Sequence, residues 1–185
     1  MLKVSAATPE LMVHTGPALV FEEIEDYLIA SEDMNLDVTK DTVLVLKHAG
    51  PKGFPGFPEV GNMPIPRKLL EQGITDMVRI SDARMSGTAY GTVLLHTSPE
   101  AAVGGPLALA KTGDMIELNV PNRTINILVS EEEMAKRKAA WVAPAPKFTR
   151  GWSKLYYETV QQSHLGADLD FLVGSSGHDI PRHSH

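Results

Sequence analysis

Four polar side chains, Asp82, Arg84, Ser86 and Thr88, stand on alternate positions of VRISDARMSGTAYG (residues 78–91), where a short apolar run gives way to small residues and glycines. A surface turn needs one or two such residues to satisfy its backbone, so four on alternate positions suit a place where something is held. A serine hydroxyl is a poor base when neutral and needs a nearby cation or proton acceptor to favour its alkoxide. Ser86 lies outside a GxSxG elbow, and no His-Asp pair close in sequence suggests a hydrolase triad, so taken alone it reads as a turn serine. Glu59, in PGFPEVGN (55–62), is an acid in an irregular loop, either solvated or an oxygen ligand for a hard cation. That loop lacks the GxxxxGK[ST] order and a helix-opening GxGxxG, which argues against nucleotide binding. His178, His183 and His185 fall in a polar tail.

The elements that must position these residues follow from periodicity. PALVFEEIEDYLIAS (17–31) passes from an apolar strand into a helix with Phe21, Ile24, Tyr27 and Leu28 at helical spacing. DTVLVLK (41–47) predicts a short buried strand, and HAGPKGFPGFPEVGNMPIP (48–66) a long loop of the kind that carries function in compact domains. A short helix closed by Gly73 and a strand over 74–81 lead into the serine-bearing stretch. A strand is expected over 91–98, then a short helix capped by Ser98 with Pro99 at its first position. DMIELNV and TINILVS around PNR form a hairpin, and Ser130 with Glu133 makes a capping box for EEEMAKRKAAW. A proline-rich spacer (142–148) precedes a helix with Trp152, Leu155, Tyr156 and Val160 at helical spacing. The class is mixed α/β: a body over 1–146, with a C-terminal helix and polar tail (147–185) of the same domain.

Composition narrows the function classes. With 185 residues, 43% of them hydrophobic, the chain can bury a substantial core. A net charge of -6 argues against general nucleic-acid binding. No apolar run reaches the roughly 20 residues that span a bilayer and no signal-peptide pattern opens the chain, so a cytoplasmic location is expected. The absence of cysteine excludes a disulfide framework and a thiolate-held zinc or iron-sulfur site within this chain.

Three blocks in order, HAGPKGFPGFPEVGN, ISDARMSGTAYG and the run from HTSPEAAVGG to MAKRKAAW, together resemble the carboxy-terminal part of the dihydroxy-acid dehydratase and phosphogluconate dehydratase family. The resemblance extends from about Ser5 to the end, and the closing GADLDFLVGSSGHDIPRHSH is similar to the sugar-acid branch, which acts on arabonate or xylonate. It implies a swivelling β/β/α domain like the mobile domain of aconitase. It also implies dehydration of a 2,3-dihydroxy acid to a 2-keto-3-deoxy acid, with Mg2+ and a 2Fe-2S or 4Fe-4S cluster. In that family the acid of PGxPE is a magnesium ligand, which falls on Glu59, and the proposed base falls on Ser86. Thr88 would bind a substrate hydroxyl or carboxylate, and the PRxSH ending would make His185 a substrate contact. The cluster's cysteines belong to an amino-terminal metal-binding domain, so this chain resembles half of a composite site, expected to be inactive alone and a homodimer or homotetramer at full length. Two other readings stay open: a noncatalytic swivelling or interaction domain, and the equivalent domain of a branched-chain dihydroxy-acid dehydratase.

Overall fold

The structure, a computed structural model, describes residues 1–174. Six strands form one mixed sheet: β1 (Val13–Phe21), β2 (Val43–Leu46), β3 (Arg79–Ser81), β4 (Val93–Leu94), β5 (Met115–Asn119) and β6 (Thr124–Ile127), in the order β4-β3-β2-β1-β5-β6. Strands β1 to β4 run parallel, while β5 and β6 are antiparallel. The nine-residue β1 serves both halves: Val13 to Pro17 face β5, and Ala18 to Phe21 face β2. Pro17, which has no N–H to give a ladder, sits where the strand changes partner.

The aliphatic run of β2 is explained by cover on both faces. Val43, Leu44, Val45 and Leu46 are all fully buried. Alternation sends Val43 and Val45 toward Val78, Ile80, Leu107, Ile116 and Leu118, and Leu44 and Leu46 toward Tyr27, Met63, Leu69 and Met77. The second layer is supplied by helices α1 (Ile24–Ser31) and α2 (Arg67–Leu70) and by the long loop itself. Tyr27 is wholly buried, and its hydroxyl donates to the Pro64 carbonyl, fixing the end of that loop to α1.

The hairpin and the helix after it form as expected. Ser130 Oγ accepts from the Glu133 N–H at 3.2 Å at the start of α3 (Glu131–Ala140), but the Glu133 carboxylate turns to Arg137 at 2.7 Å, so only half of the capping box is made. Arg137 also grips the Asp114 carboxylate with both Nη atoms (2.5 and 2.9 Å), holding α3 against the foot of the hairpin. The stretch after β4 corrects the sequence expectation. A single 3-10 turn, Ala101–Val103, replaces the capped helix, and Ser98 Oγ lies 2.5 Å from His164 Nδ1. Gly104, with φ of 74°, stops the turn after one round. The expected strands over 74–81 and 91–98 shrink to β3 and β4, and just before them the Asp76 carboxylate takes the N–H and the hydroxyl of Thr92. Helix α4 (Gly151–Thr159) ends one residue before buried Val160 and leaves Trp152 70% exposed.

Candidate functional site

Three loops leave the carboxyl ends of the parallel strands: 47–66 after β2, 82–92 after β3 and 95–100 after β4. In open sheets with parallel strands that end is where ligands gather. Four of the six non-glycine residues with positive φ, His48, Phe57, Met63 and His96, lie in the first and third of these loops. Each left-handed non-glycine residue costs on the order of 1 kcal/mol and persists only where surrounding contacts over-determine it.

Those contacts are buried charges. Arg79 of β3, 3% exposed, donates from Nη1 to the carbonyls of Asn62 (2.7 Å) and Met63 (3.2 Å) and from Nη2 to Asp76 Oδ1 (2.8 Å). One guanidinium thus ties the Glu59 loop to the floor of the Ser86 loop. Gly91 follows from this: at φ of 110°, a Cβ there would lie 2.0 Å from Arg79 Nη2. Burial raises the pKa of Asp76, but hydrogen bonds from Thr8 and Thr92 and the Arg79 charge outweigh it and hold the carboxyl below its ordinary value. Asp82, fully buried, accepts from the N–H groups of Ala49 and Ala101 at 2.9 Å each. Glu100, 1% exposed, accepts from Lys52 N–H, Gly53 N–H (2.8 Å) and Gln162 Nε2 (2.6 Å), joining the segment after α4 to the same loop.

The expected site residues sit on this scaffold. Ser86 Oγ and Thr88 Oγ1 are 2.9 Å apart, so the two hydroxyls form one pair at the rim. Gly87 between them has open space around it and no positive φ, so it contributes room at the hydroxyls rather than a special backbone conformation. Glu59 is half exposed, and its Oε1 lies 3.8 Å from Nη2 of Arg84, too long for a charge-assisted hydrogen bond. Arg84 Nε donates to the Phe57 carbonyl (2.6 Å), and the Arg84 carbonyl accepts from Gly61 N–H (2.8 Å). Glu59 is therefore linked to the serine loop through Arg84, while Ser86 and Glu59 make no direct bond among the described residues. Asn62 Oδ1, three residues beyond Glu59, is buried without a partner among the described residues and lines a cleft shared with Thr88 and Tyr90. His185 lies outside the described residues. Sequence reasoning gave no role to Arg79, counted Asp82 only among the four polar residues at the strand end, and did not find the buried role of Glu100. The available signal was an arginine between Val78 and Ile80 in an otherwise apolar run.

The profile of the family described as dihydroxy-acid/6-phosphogluconate dehydratase C-terminal matches residues 1–167. The chain belongs to this family. Among proteins similar to this dehydratase-family chain, an L-arabinonate dehydratase of Rhizobium leguminosarum bv. trifolii is 56% identical over 185 residues, covering 100% of this chain and 32% of that protein. A 6-deoxy-6-sulfo-D-gluconate dehydratase of Pseudomonas putida is 51% identical over 181 residues, 98% of this chain and 31% of that protein. A dihydroxy-acid dehydratase of Lachnospira eligens is 40% identical over 170 residues, 91% of this chain and 30% of that protein. The chain spans about a third of the length of the curated relatives it matches.

In this dehydratase-family chain the buried Asp82 gives a pH signature. Burial first, and then the charge of Glu100, push its carboxyl up to about 7, against the two backbone N–H bonds that favour the ionised form. A folded-state pKa above the ordinary 3.8 means that the folded chain binds the proton more tightly. This stability is fully present below the unfolded value and is lost as pH rises through about 7. Asp82→Asn removes the titration and sets an amide N–H against a backbone N–H, at about 1–3 kcal/mol. The margin of the wild type over Asp82→Asn in urea unfolding is expected to widen as pH falls from 7 to 4; a margin that narrows would contradict a buried Asp82 with a raised pKa.

Proposed function

We propose that this chain is the carboxy-terminal part of a hydro-lyase that converts a 2,3-dihydroxy sugar acid to a 2-keto-3-deoxy acid, with its active site shared with an amino-terminal domain. The observation that carries this reading is that Ser86 and Thr88 form one hydroxyl pair at the carboxyl end of the sheet, cross-linked through Arg84 and Arg79 to the loop that presents Glu59. The names of the relatives at 56% and 51% identity favour a sugar acid over the branched-chain acid suggested by the one at 40%.

Ser86 is assigned the removal of the C2 proton, with Thr88 orienting the hydroxyl and a substrate oxygen. Ser86 Oγ has Thr88 as its partner, and a cation stands at the next residue, where Lys3 Nζ donates to the Gly87 carbonyl at 2.8 Å; any further group that favours the alkoxide is assigned to the other domain. Glu59 fits a magnesium ion as a single oxygen ligand: it is half exposed, and its contact with Arg84 is loose enough to exchange. No cluster of three or more His, Cys, Asp or Glu suited to a metal occurs among the described residues, so further ligands are also assigned to the other domain. When bound, the ion would take up charge that develops on the substrate carboxylate. An iron-sulfur cluster does not fit this chain, which has no cysteine in its 185 residues.

The test is a substrate panel of pentonates, hexonates, 6-phosphogluconate and dihydroxyisovalerate, run on the full-length enzyme and on the 185-residue chain with Mg2+. Turnover of a sugar acid by the full-length enzyme, and none by the chain alone, is the expected result. Turnover by the chain alone would end the shared-site reading, and a preference for dihydroxyisovalerate would move the substrate to the branched-chain class.

A further inference from the structure

A cleft of about 630 Å³ opens beside the Glu59 loop, between Phe57, Arg84, His96, Tyr156 and the turn at Ser163 and His164. Its walls come from the loops after β2, β3 and β4 and from the segment after α4, which Glu100 and Gln162 hold in place by exchanging two hydrogen bonds of 2.8 and 2.6 Å. Phe57 forms an apolar floor, edge-on to His96 with ring centroids 5.4 Å apart and with the Arg84 guanidinium 5.8 Å from its own ring centroid. Arg84 is the cationic side chain of the cleft, which Met1 also lines, and it is the same side chain that reaches toward Glu59. Burial first, then the charged amino group of Met1 and the Arg84 guanidinium, hold His96 below the ordinary imidazole value, while burial holds Tyr156 above the ordinary phenol value, so both are neutral hydrogen-bonding groups at pH 7.

Ser163 Oγ is shielded from solvent and has no hydrogen-bond partner among the described residues. Ser163 lines the cleft, and a turn about its χ1 would bring this unpaired hydroxyl from within the wall to a ligand. Hydroxyl, phenol, two imidazoles and one guanidinium over an aromatic floor match a chain of secondary alcohols, whose C–H faces pack on the ring while its O–H groups bond to the walls. A short branched apolar acid would leave these groups unpaired.

We propose that this cleft is the subsite for the hydroxylated tail of the substrate, the carbons beyond C3, and that it sets the chain length the enzyme accepts. This rests on the dehydratase reading above. Ser163 and His164 grip the far hydroxyls, and Arg84 marks the boundary with the Glu59 loop and neutralises an acidic group at that end of the substrate.

The experiment measures kcat/KM of the full-length enzyme, wild type, Ser163→Ala and His164→Ala, on L-arabinonate and on the four-carbon acid of the same C2 and C3 configuration. The wild-type values test the dehydratase reading, and the five-carbon to four-carbon ratio in each variant tests the subsite. Loss of a hydrogen bond to a buried substrate hydroxyl is expected to lower that ratio about tenfold in at least one variant. A ratio that stays at the wild-type value in both variants, whether or not absolute rates fall, overturns the subsite and leaves the dehydratase reading standing. A wild-type enzyme that turns over neither acid overturns both.

Discussion

Ser86→Ala in the full-length enzyme is expected to lower keto-acid formation by about a thousandfold, the scale of a lost general base, with the fold unchanged. The structure separates these effects. Ser86 is at the rim, its hydroxyl bonded to the Thr88 hydroxyl at 2.9 Å, and the Gly87 beside it has open space. Removing one half-exposed oxygen leaves no cavity and no buried unpaired group, so stability should move by less than about 0.5 kcal/mol. Thr88 keeps its backbone in place through the turn closed by Ala89 N–H on the Ser86 carbonyl at 3.0 Å, a bond that alanine preserves. The decisive reading pairs turnover with thermal unfolding. Near-normal turnover with an unchanged melting curve would remove Ser86 from the base role, whereas a large loss of stability would show that the hydroxyl pair is a structural cross-link.

Arg79→Met is expected to do the opposite: a large loss of stability from a residue assigned no chemistry. Arg79 and Asp76 have side chains 4% and 8% exposed and a 2.8 Å ion pair. Removing one partner of a buried pair leaves the other uncompensated, at about 3–5 kcal/mol. Asp76 retains Thr8 Oγ1 (2.6 Å) and Thr92 Oγ1 (2.8 Å), which places the effect at the lower end. For a chain of this size about 3 kcal/mol is on the order of a 10 °C fall in Tm. The carbonyls of Asn62 and Met63 lose their donor at the same time, so the Glu59 loop loses one of its ties to the sheet. The double variant Arg79→Met with Asp76→Leu should recover part of the loss, because no unpaired charge remains. A fall of under about 2 °C for Arg79→Met alone would show that the clamp does not hold the loops.

How much of this was legible depends on the range of the interaction. The β2 strand, the 115–127 hairpin and the Ser130 cap could be read from VLVL, from alternation around PNR and from a serine three residues before a glutamate, all of which act within a few residues. The capped helix at Ser98 could not, because Ser98 is drawn to His164 across 66 residues. A local propensity of a few tenths to about 1 kcal/mol gives way to such long-range polar contacts. The placement of Ser86 and Thr88 on alternate positions was readable from the sequence, but their hydrogen bond was not, nor was the role of Arg84 as the link to Glu59, since 25 residues separate those two side chains in sequence.

The sequence by itself determined the mixed α/β class, the positions of the loops, the family of dehydratase C-terminal domains and the two stretches in which Glu59 and Ser86 stand. Its lack of cysteine also determined that a thiolate-held cluster cannot be built from this chain. Only the tertiary structure decided that three buried charged residues, Arg79, Asp82 and Glu100, hold those stretches together, and that a cleft with an unpaired Ser163 hydroxyl lies beside them. The physical reason is that a buried charge must find partners wherever the fold brings them. Arg79 finds backbone carbonyls 16 and 17 residues away, and Glu100 finds N–H groups 47 and 48 away, at separations that no local pattern records.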